Sequence, residues 1–88
     1  MKDLKDTIEQ MTSEDYKERF KAEYLKTRIR WEKLKNFCNR IEAAEMMNKE
    51  QPKHDCPVWL LRDQQKAMGE YLHILELRAV IEEIELEV

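Results

Sequence analysis

Two adjacent apolar stripes in residues 57–88 constrain this sequence more than any other feature. Both stripes follow the alternating three- and four-residue steps of a heptad repeat, which predicts one long amphipathic helix. The first stripe consists of Val58, Leu61, Gln65, Met68, Leu72, Leu75, Ala79, Glu82 and Leu86. The second consists of Leu60, Gln64, Ala67, Tyr71, Ile74, Arg78, Ile81, Glu85 and Val88. An apolar face of this width cannot be covered by a single partner helix.

The segment before it predicts another long helix, from about Ser13 to Met47. Thr12 and Ser13 are followed by two acidic residues, a pattern typical of a helix start. The apolar stripe of this helix consists of Phe20, Tyr24, Thr27, Trp31, Leu34, Cys38 and Ile41. Because Cys38 lies on that stripe, we expect it to be a small buried apolar residue.

Residues 48–56 predict a linker, because they are polar and Pro52 would break a helical hydrogen bond. Pro57 suits the first turn of the following helix, residues 57–87. A linker of this length allows the chain to reverse direction. The predicted fold is therefore all-α, an antiparallel two-helix hairpin domain over residues 13–88.

Residues 1–12 carry apolar side chains at helical spacing and predict a short N-terminal helical segment. Gly69 falls inside the second helix, where a close helix contact or a ligand near the backbone would explain it.

Composition excludes several classes of protein. Charged residues make up 40% of the chain, and no run of about 18 apolar residues exists to span a membrane. The N-terminus lacks the apolar core of a signal peptide, so we expect a cytoplasmic protein with free thiols at Cys38 and Cys56. The sequence contains no phosphate loop, nucleophile elbow or zinc-ligand spacing, which indicates a protein that is not an enzyme and needs no metal or cofactor.

Charge is distributed unevenly along the chain. Residues 16–35 contain eight basic residues against three acidic ones, net +5, whereas residues 76–88 contain five acidic residues against Arg78, net -4. The whole chain is at -3, which does not favour binding to DNA or RNA. The basic segment leaves two local partners open, a small anionic ligand or a matching acidic helix.

A single hairpin would leave large side chains such as Trp31, Phe37, Tyr71 and Ile74 in water. Burying each is worth about 1.5–3 kcal/mol, and small scaffolds without disulfides or metals generally oligomerise. We therefore expect a homo-oligomer, at least a dimer with a four-helix core.

The basic residues of the first helix have two interpretations. Arg19, Lys26 and Arg30 either form ion pairs on a solvated face or line an anion pocket at a subunit junction, where guanidinium groups would hold phosphates and tyrosine rings would stack on bases. Arg78 likewise has three interpretations. Its side chain lies at the rim of the stripe with its head in water, it pairs with a glutamate of another subunit, or it turns inward to an anion.

Two segments, YKERFKAEYLKTRIRWEKLKNF at residues 16–37 and LLRDQQKAMGEYLHILELRAVIE at residues 60–82, resemble a family of small phage and prophage helical-hairpin proteins. That family shares a hairpin domain with the phage anti-CBASS and anti-Thoeris proteins, which are cyclic-nucleotide sponges. The resemblance covers about residues 16–84. It implies a compact homo-oligomer, often a hexamer, that binds cyclic di- or trinucleotides at subunit junctions without cleaving them. It also implies that Tyr16, Lys21 and Arg78 hold phosphate or base.

Our interpretation is an anti-defence protein that sequesters a cyclic oligonucleotide signal in the host cytoplasm. Two alternatives remain open from the sequence. One is a phage-encoded inhibitor that binds a host defence protein such as a CRISPR effector, and the other is a structural coiled-coil oligomerisation module.

Overall fold

The computed structural model of the chain describes residues 14–86, and within them the chain forms two helices and no strand. Helix α1 spans Glu14–Met46 and helix α2 spans Val58–Ile81. Tyr16 contacts Glu82 at one end of the pair, and Glu42 contacts Arg62 at the other, so the helices run antiparallel. The predicted all-α hairpin is confirmed. The predicted N-terminal segment, residues 1–12, lies outside the described residues.

Helix α1 ends in a turn built around Asn48, whose φ of 58° is left-handed. The Asn48 amide donates to the Glu45 carbonyl at 3.1 Å, and the Lys49 amide donates to the Ala44 carbonyl at 2.8 Å. These two bonds define a Schellman motif, which satisfies carbonyls that the end of a helix leaves unpaired. Asparagine tolerates the left-handed conformation better than most residues, so the sequence supports a helix end here.

The linker then leads into α2 at Pro57, whose φ of -58° suits a helix start. The Pro57 carbonyl accepts from the amides of Leu60 and Leu61 at 3.1 and 3.2 Å. Within the linker, the His54 ring lies 2.7 Å from the Cys56 carbonyl and 3.2 Å from the Gln51 side-chain oxygen. The structure thus gives His54 a role in ordering the linker.

Helix α2 ends at Ile81, and the predicted extension to residue 87 is wrong. A second Schellman motif closes it: Glu83 has a left-handed φ of 57°, and the Ile84 amide donates to the Ala79 carbonyl at 2.8 Å. The chain turns because Ile84, only 6% exposed, packs into the core. A continuing helix would carry Ile84 away from the apolar seam, so its burial favours the turn.

The hairpin core forms where the first stripe of α2 meets the stripe of α1. Leu72, Leu75 and Ala79 of α2 are buried, and all three pack with Phe20 and Tyr24 of α1 in one cluster. The buried residues of the α1 stripe are Phe20, Tyr24, Thr27, Cys38 and Ile41. The expected burial of Cys38 is confirmed, since its side chain has no exposed surface.

The second stripe of α2 stays in water in the single chain. Tyr71, Ile74 and Ile81 are 41%, 53% and 79% exposed, respectively. Trp31 and Phe37, which were expected in water as well, are half-buried. The apolar face is therefore wider than the contact between the two helices, as the sequence indicates.

Gly69 marks a close approach of the two helices. A Cβ atom at this position would lie 3.3 Å from the Trp31 Nε1 atom, which is tighter than an ordinary van der Waals contact. Glycine lets the indole of α1 rest on the backbone of α2. Of the two explanations open from the sequence, the close helix contact is the one observed.

At the linker end of the hairpin, Arg62 joins the helices. Its guanidinium donates to the Glu42 carboxylate at 2.7 Å, to the Asn39 side chain at 2.9 Å and to the Gln65 side chain at 2.6 Å. Gln65, a polar interruption of the first stripe, therefore orients this arginine.

Across the part of the chain that the structure describes, no helix is long and apolar enough to cross a membrane.

Candidate functional site

A polar cluster closes the opposite end of the hairpin, and it is formed by Tyr16, Arg78 and Glu82. The Tyr16 hydroxyl donates to Glu82 Oε1 at 2.9 Å, and Arg78 Nε donates to Glu82 Oε2 at 3.0 Å. Arg78 Nη2 also donates to the Tyr16 hydroxyl oxygen across 62 positions of sequence. We refer to these three residues as the Tyr16–Arg78–Glu82 cluster.

Phe20 forms the apolar base of this cluster. The Arg78 guanidinium carbon lies 5.1 Å from the centre of the Phe20 ring, within the range of a cation–π contact. The Tyr16 ring meets the Phe20 ring edge-on, with 6.3 Å between centroids. The Arg78 side chain is 46% exposed, so it packs its stem and keeps its donors accessible to solvent.

Helix geometry explains why these side chains meet. Tyr16 and Phe20 are four residues apart on α1, and Arg78 and Glu82 are four residues apart on α2, so each pair shares one helix face. Glu82 is the C-terminal cap of α2, held between the last helical turn and the buried Ile84. The turn that ends α2 therefore sets the position of the Glu82 carboxylate.

Electrostatics within the cluster match its hydrogen bonds. The hydrogen bonds that Glu82 accepts from Tyr16 and Arg78 stabilise its charged form and hold its pKa below the usual range. The same bond to Glu82 raises the pKa of the Tyr16 hydroxyl above its ordinary value. The cluster is thus a neutral phenol, a guanidinium and a carboxylate at neutral pH.

The other residues predicted for a ligand site lie elsewhere on the hairpin. Lys21 approaches Glu18 at 3.5 Å and lines a shallow groove with Lys17 and the turn at residues 83–85. Arg19 and Lys26 are exposed. The structure therefore brings Tyr16 and Arg78 together and leaves Lys21, Arg19 and Lys26 outside their contacts.

Arg30 lines a separate groove of about 550 Å³ between the helices, with Tyr71 and Gln64 opposite it. Here the Tyr71 hydroxyl donates to Glu23 Oε2 at 3.1 Å. Arg30 is fourteen residues from Tyr16, which corresponds to roughly 21 Å along the helix axis. A single copy of the chain cannot place Arg30 and Arg78 on the same small ligand.

Glu82 is a member of the site that was not predicted from the sequence. In the sequence it is a polar member of the first stripe, although its four-residue spacing from Arg78 is a recognisable ion-pair signal. The contact with Tyr16 gives no such signal, because it depends on the register of the two helices. Among residues 14–86 no group of three or more metal-binding side chains is clustered.

Taken together, the fold and the cluster define a class: small all-α hairpins that present an arginine and a tyrosine at the end of an antiparallel helix pair. Residues 14–81 match the family described as Sequestin. That match covers most of the chain, which therefore belongs to the Sequestin family. Among curated proteins and among solved structures, nothing is significantly similar to it.

Proposed function

We propose that this protein is a phage anti-defence protein that sequesters cyclic oligonucleotide second messengers in the host cytoplasm and does not cleave them. One observation carries the proposal: Tyr16 and Arg78, which the family resemblance singles out, contact each other across the hairpin. The family description, Sequestin, supports a sequestering role.

The chemistry of the Tyr16–Arg78–Glu82 cluster suits a phosphodiester. A guanidinium presents parallel N–H donors that match two oxygens of a phosphate, and the tyrosine hydroxyl supplies one more donor. The aromatic rings of Tyr16 and Phe20 lie beside these donors, where a base could stack. Sequestration requires only such preorganised donors and rings, with no group that transfers a proton or attacks phosphorus.

Assembly is part of the proposal, because the second stripe of α2 is uncovered in one copy. A homo-oligomer, possibly a hexamer, would bury this stripe. Its junctions would also bring basic residues from different copies together. Neighbouring subunits would then contribute further contacts to the ligand from the basic residues outside the cluster: Arg30, Lys21, Arg19 and Lys26.

Isothermal titration with a panel of cyclic di- and trinucleotides tests this function. We expect submicromolar binding of at least one of them. The Arg78→Ala variant should bind roughly tenfold more weakly or worse, because a charge-assisted contact to phosphate is lost. Arg40→Ala, which removes an exposed arginine from the far half of α1, is the matched control and should bind normally.

Other results would favour the alternatives. If no cyclic nucleotide binds and the protein instead captures a host defence protein, the inhibitor interpretation replaces ours. The exposed Ile74, Leu77 and Val80 would suit such a partner. If only self-association is observed, the chain is a structural oligomerisation module.

A further inference from the structure

Two anion-binding donors of the cluster, the Tyr16 hydroxyl and Arg78 Nε, already serve an anion of the same chain. Glu82 presents both carboxylate oxygens to them: Oε1 accepts from the Tyr16 hydroxyl at 2.9 Å, and Oε2 accepts from Arg78 Nε at 3.0 Å. A phosphate group is commonly bound in the same way, with each of two anionic oxygens accepting a hydrogen bond from its own donor. Glu82 therefore stands where a phosphate ligand would make its contacts.

The backbone keeps this carboxylate in place. Glu82 is four residues from Arg78 on the same helix face, and the left-handed Glu83 and buried Ile84 fix the turn directly after it. An anion tethered in this way competes at a high effective concentration, whatever the concentration of free anions in the cell. Free phosphate must therefore compete with a built-in carboxylate for the Tyr16 hydroxyl and Arg78 Nε.

We propose that Glu82 is an internal counter-anion that a phosphate ligand must displace before the Tyr16 hydroxyl and Arg78 Nε can bind it. The inference rests on the proposed function and adds a determinant of specificity to it. A ligand with a single phosphate gains little by replacing one anion with another. A cyclic oligonucleotide offers further phosphates and bases to the oligomer, and these additional contacts offset the loss of the Glu82 contacts.

The test compares Glu82→Gln with Glu70→Gln. Both substitutions remove one negative charge from the second half of the hairpin, but Glu70 is exposed and lies outside the cluster and outside the Lys21 groove. Inorganic phosphate and a cyclic dinucleotide are titrated into each protein, while the ¹⁵N signal of Arg78 Nε is followed by NMR. We expect Glu82→Gln to bind both probes roughly three- to tenfold more tightly than the unaltered protein, and Glu70→Gln to bind them about as the unaltered protein does.

Equal or weaker binding by Glu82→Gln, relative to Glu70→Gln, would overturn the proposal, because Glu82 would then orient Arg78 for the ligand. A Glu82→Ala variant, checked for helix content, repeats the comparison without the remaining amide contacts. The two titrations distinguish failure of the proposed sequestering function from failure of the counter-anion inference. If phosphate shifts the Arg78 signal only in the Glu82 variants while no cyclic nucleotide binds any protein, the counter-anion stands and the sponge function fails.

Discussion

At the scale of single residues, the hairpin repeats one device: a tyrosine on one helix donates to a glutamate on the other. Tyr24 donates to Glu76 Oε2 at 2.6 Å, and Tyr71 donates to Glu23 Oε2 at 3.1 Å. The two pairs differ in burial, because Tyr24 is 2% exposed and Tyr71 is 41% exposed. The same hydrogen bond should therefore contribute differently to stability at the two positions.

We predict that Tyr24→Phe lowers the free energy of unfolding by about 0.5–1.5 kcal/mol, because it removes a hydrogen bond made by a buried hydroxyl. Tyr71→Phe is the control, and at dilutions where the hairpin is a single chain it should cost clearly less, because water can replace the lost contact. Urea denaturation of both variants measures the difference. Equal costs would show that burial does not determine the strength of these pairs.

Alkaline pH gives a second prediction for Tyr24. Burial and the hydrogen bond to Glu76 raise the pKa of its hydroxyl above the ordinary value of about 10. The folded state then holds this proton more tightly than the unfolded state, so its stabilisation is fully present below that ordinary value. It is lost as pH rises through the folded pKa.

The stability advantage of the unaltered protein over Tyr24→Phe should therefore shrink as pH rises above about 10. Urea denaturation of the two proteins across the alkaline range gives this difference directly. Because other groups that titrate there are common to both proteins, they cancel to a first approximation. A difference that stays constant with pH would contradict the assigned cause.

At the scale of elements, both helices end in a Schellman motif, and neither uses glycine. Asn48 and Glu83 occupy the left-handed position of the two turns. A residue with a side chain pays about 1–2 kcal/mol for this conformation, least when it is asparagine. The α2 end is therefore strained at Glu83, and the burial of Ile84 offsets that cost.

We predict that Glu83→Gly stabilises the protein by about 0.5–1 kcal/mol, since glycine adopts the left-handed conformation freely but loses more chain entropy on folding. Glu85→Gly, which removes the same charge from a position without a left-handed φ, should be neutral or destabilising. Thermal unfolding of both variants provides the measurement. A loss of stability in Glu83→Gly would mean that the Glu83 side chain makes contacts worth more than the strain.

At the scale of the whole molecule, the hairpin is a thin body of 58 × 28 × 16 Å with one apolar stripe covered and one uncovered. The covered stripe holds the two helices together. The uncovered stripe runs along α2 through Tyr71, Ile74 and Ile81. Self-association should therefore depend on the second stripe much more than the fold of the hairpin does.

We predict that Ile74→Lys dissociates the proposed oligomer while the helix content per chain is retained, because Ile74 lies on the surface of the single hairpin. His73→Lys is the matched control: this neighbouring residue is exposed and belongs to neither stripe. Sedimentation equilibrium and circular dichroism measure the two properties. A folded single chain of the unaltered protein at high dilution would refute the assembly itself.

Much of this fold was predictable because heptad spacing and proline positions are local properties. The stripes of both helices, the linker and the excess width of the apolar face all follow from residue types at fixed spacings. The end of α2 was not predictable in this way. The stripe continues past Ile81 in the sequence, and only the burial of Ile84 against the other helix decides that the chain turns.

The residues of the candidate site were likewise only partly predictable from the sequence. The family resemblance pointed to Tyr16, Lys21 and Arg78 individually. Charge alone added Arg19, Lys26 and Arg30. The structure separates them, because Arg19 and Lys26 face solvent and Lys21 lines another groove. Arg30 lies roughly 21 Å along the helix axis from Tyr16. Which of these faces meets the other helix depends on how α1 and α2 pack.

The sequence by itself determined that this chain forms two amphipathic helices with more apolar surface than one hairpin can bury, because side-chain periodicity dictates which faces avoid water. The tertiary structure alone decided that Tyr16, Arg78 and Glu82 meet. Their contact requires a particular register between antiparallel helices, and that register is set by long-range packing of Phe20, Leu75 and Ile84, which no local pattern encodes.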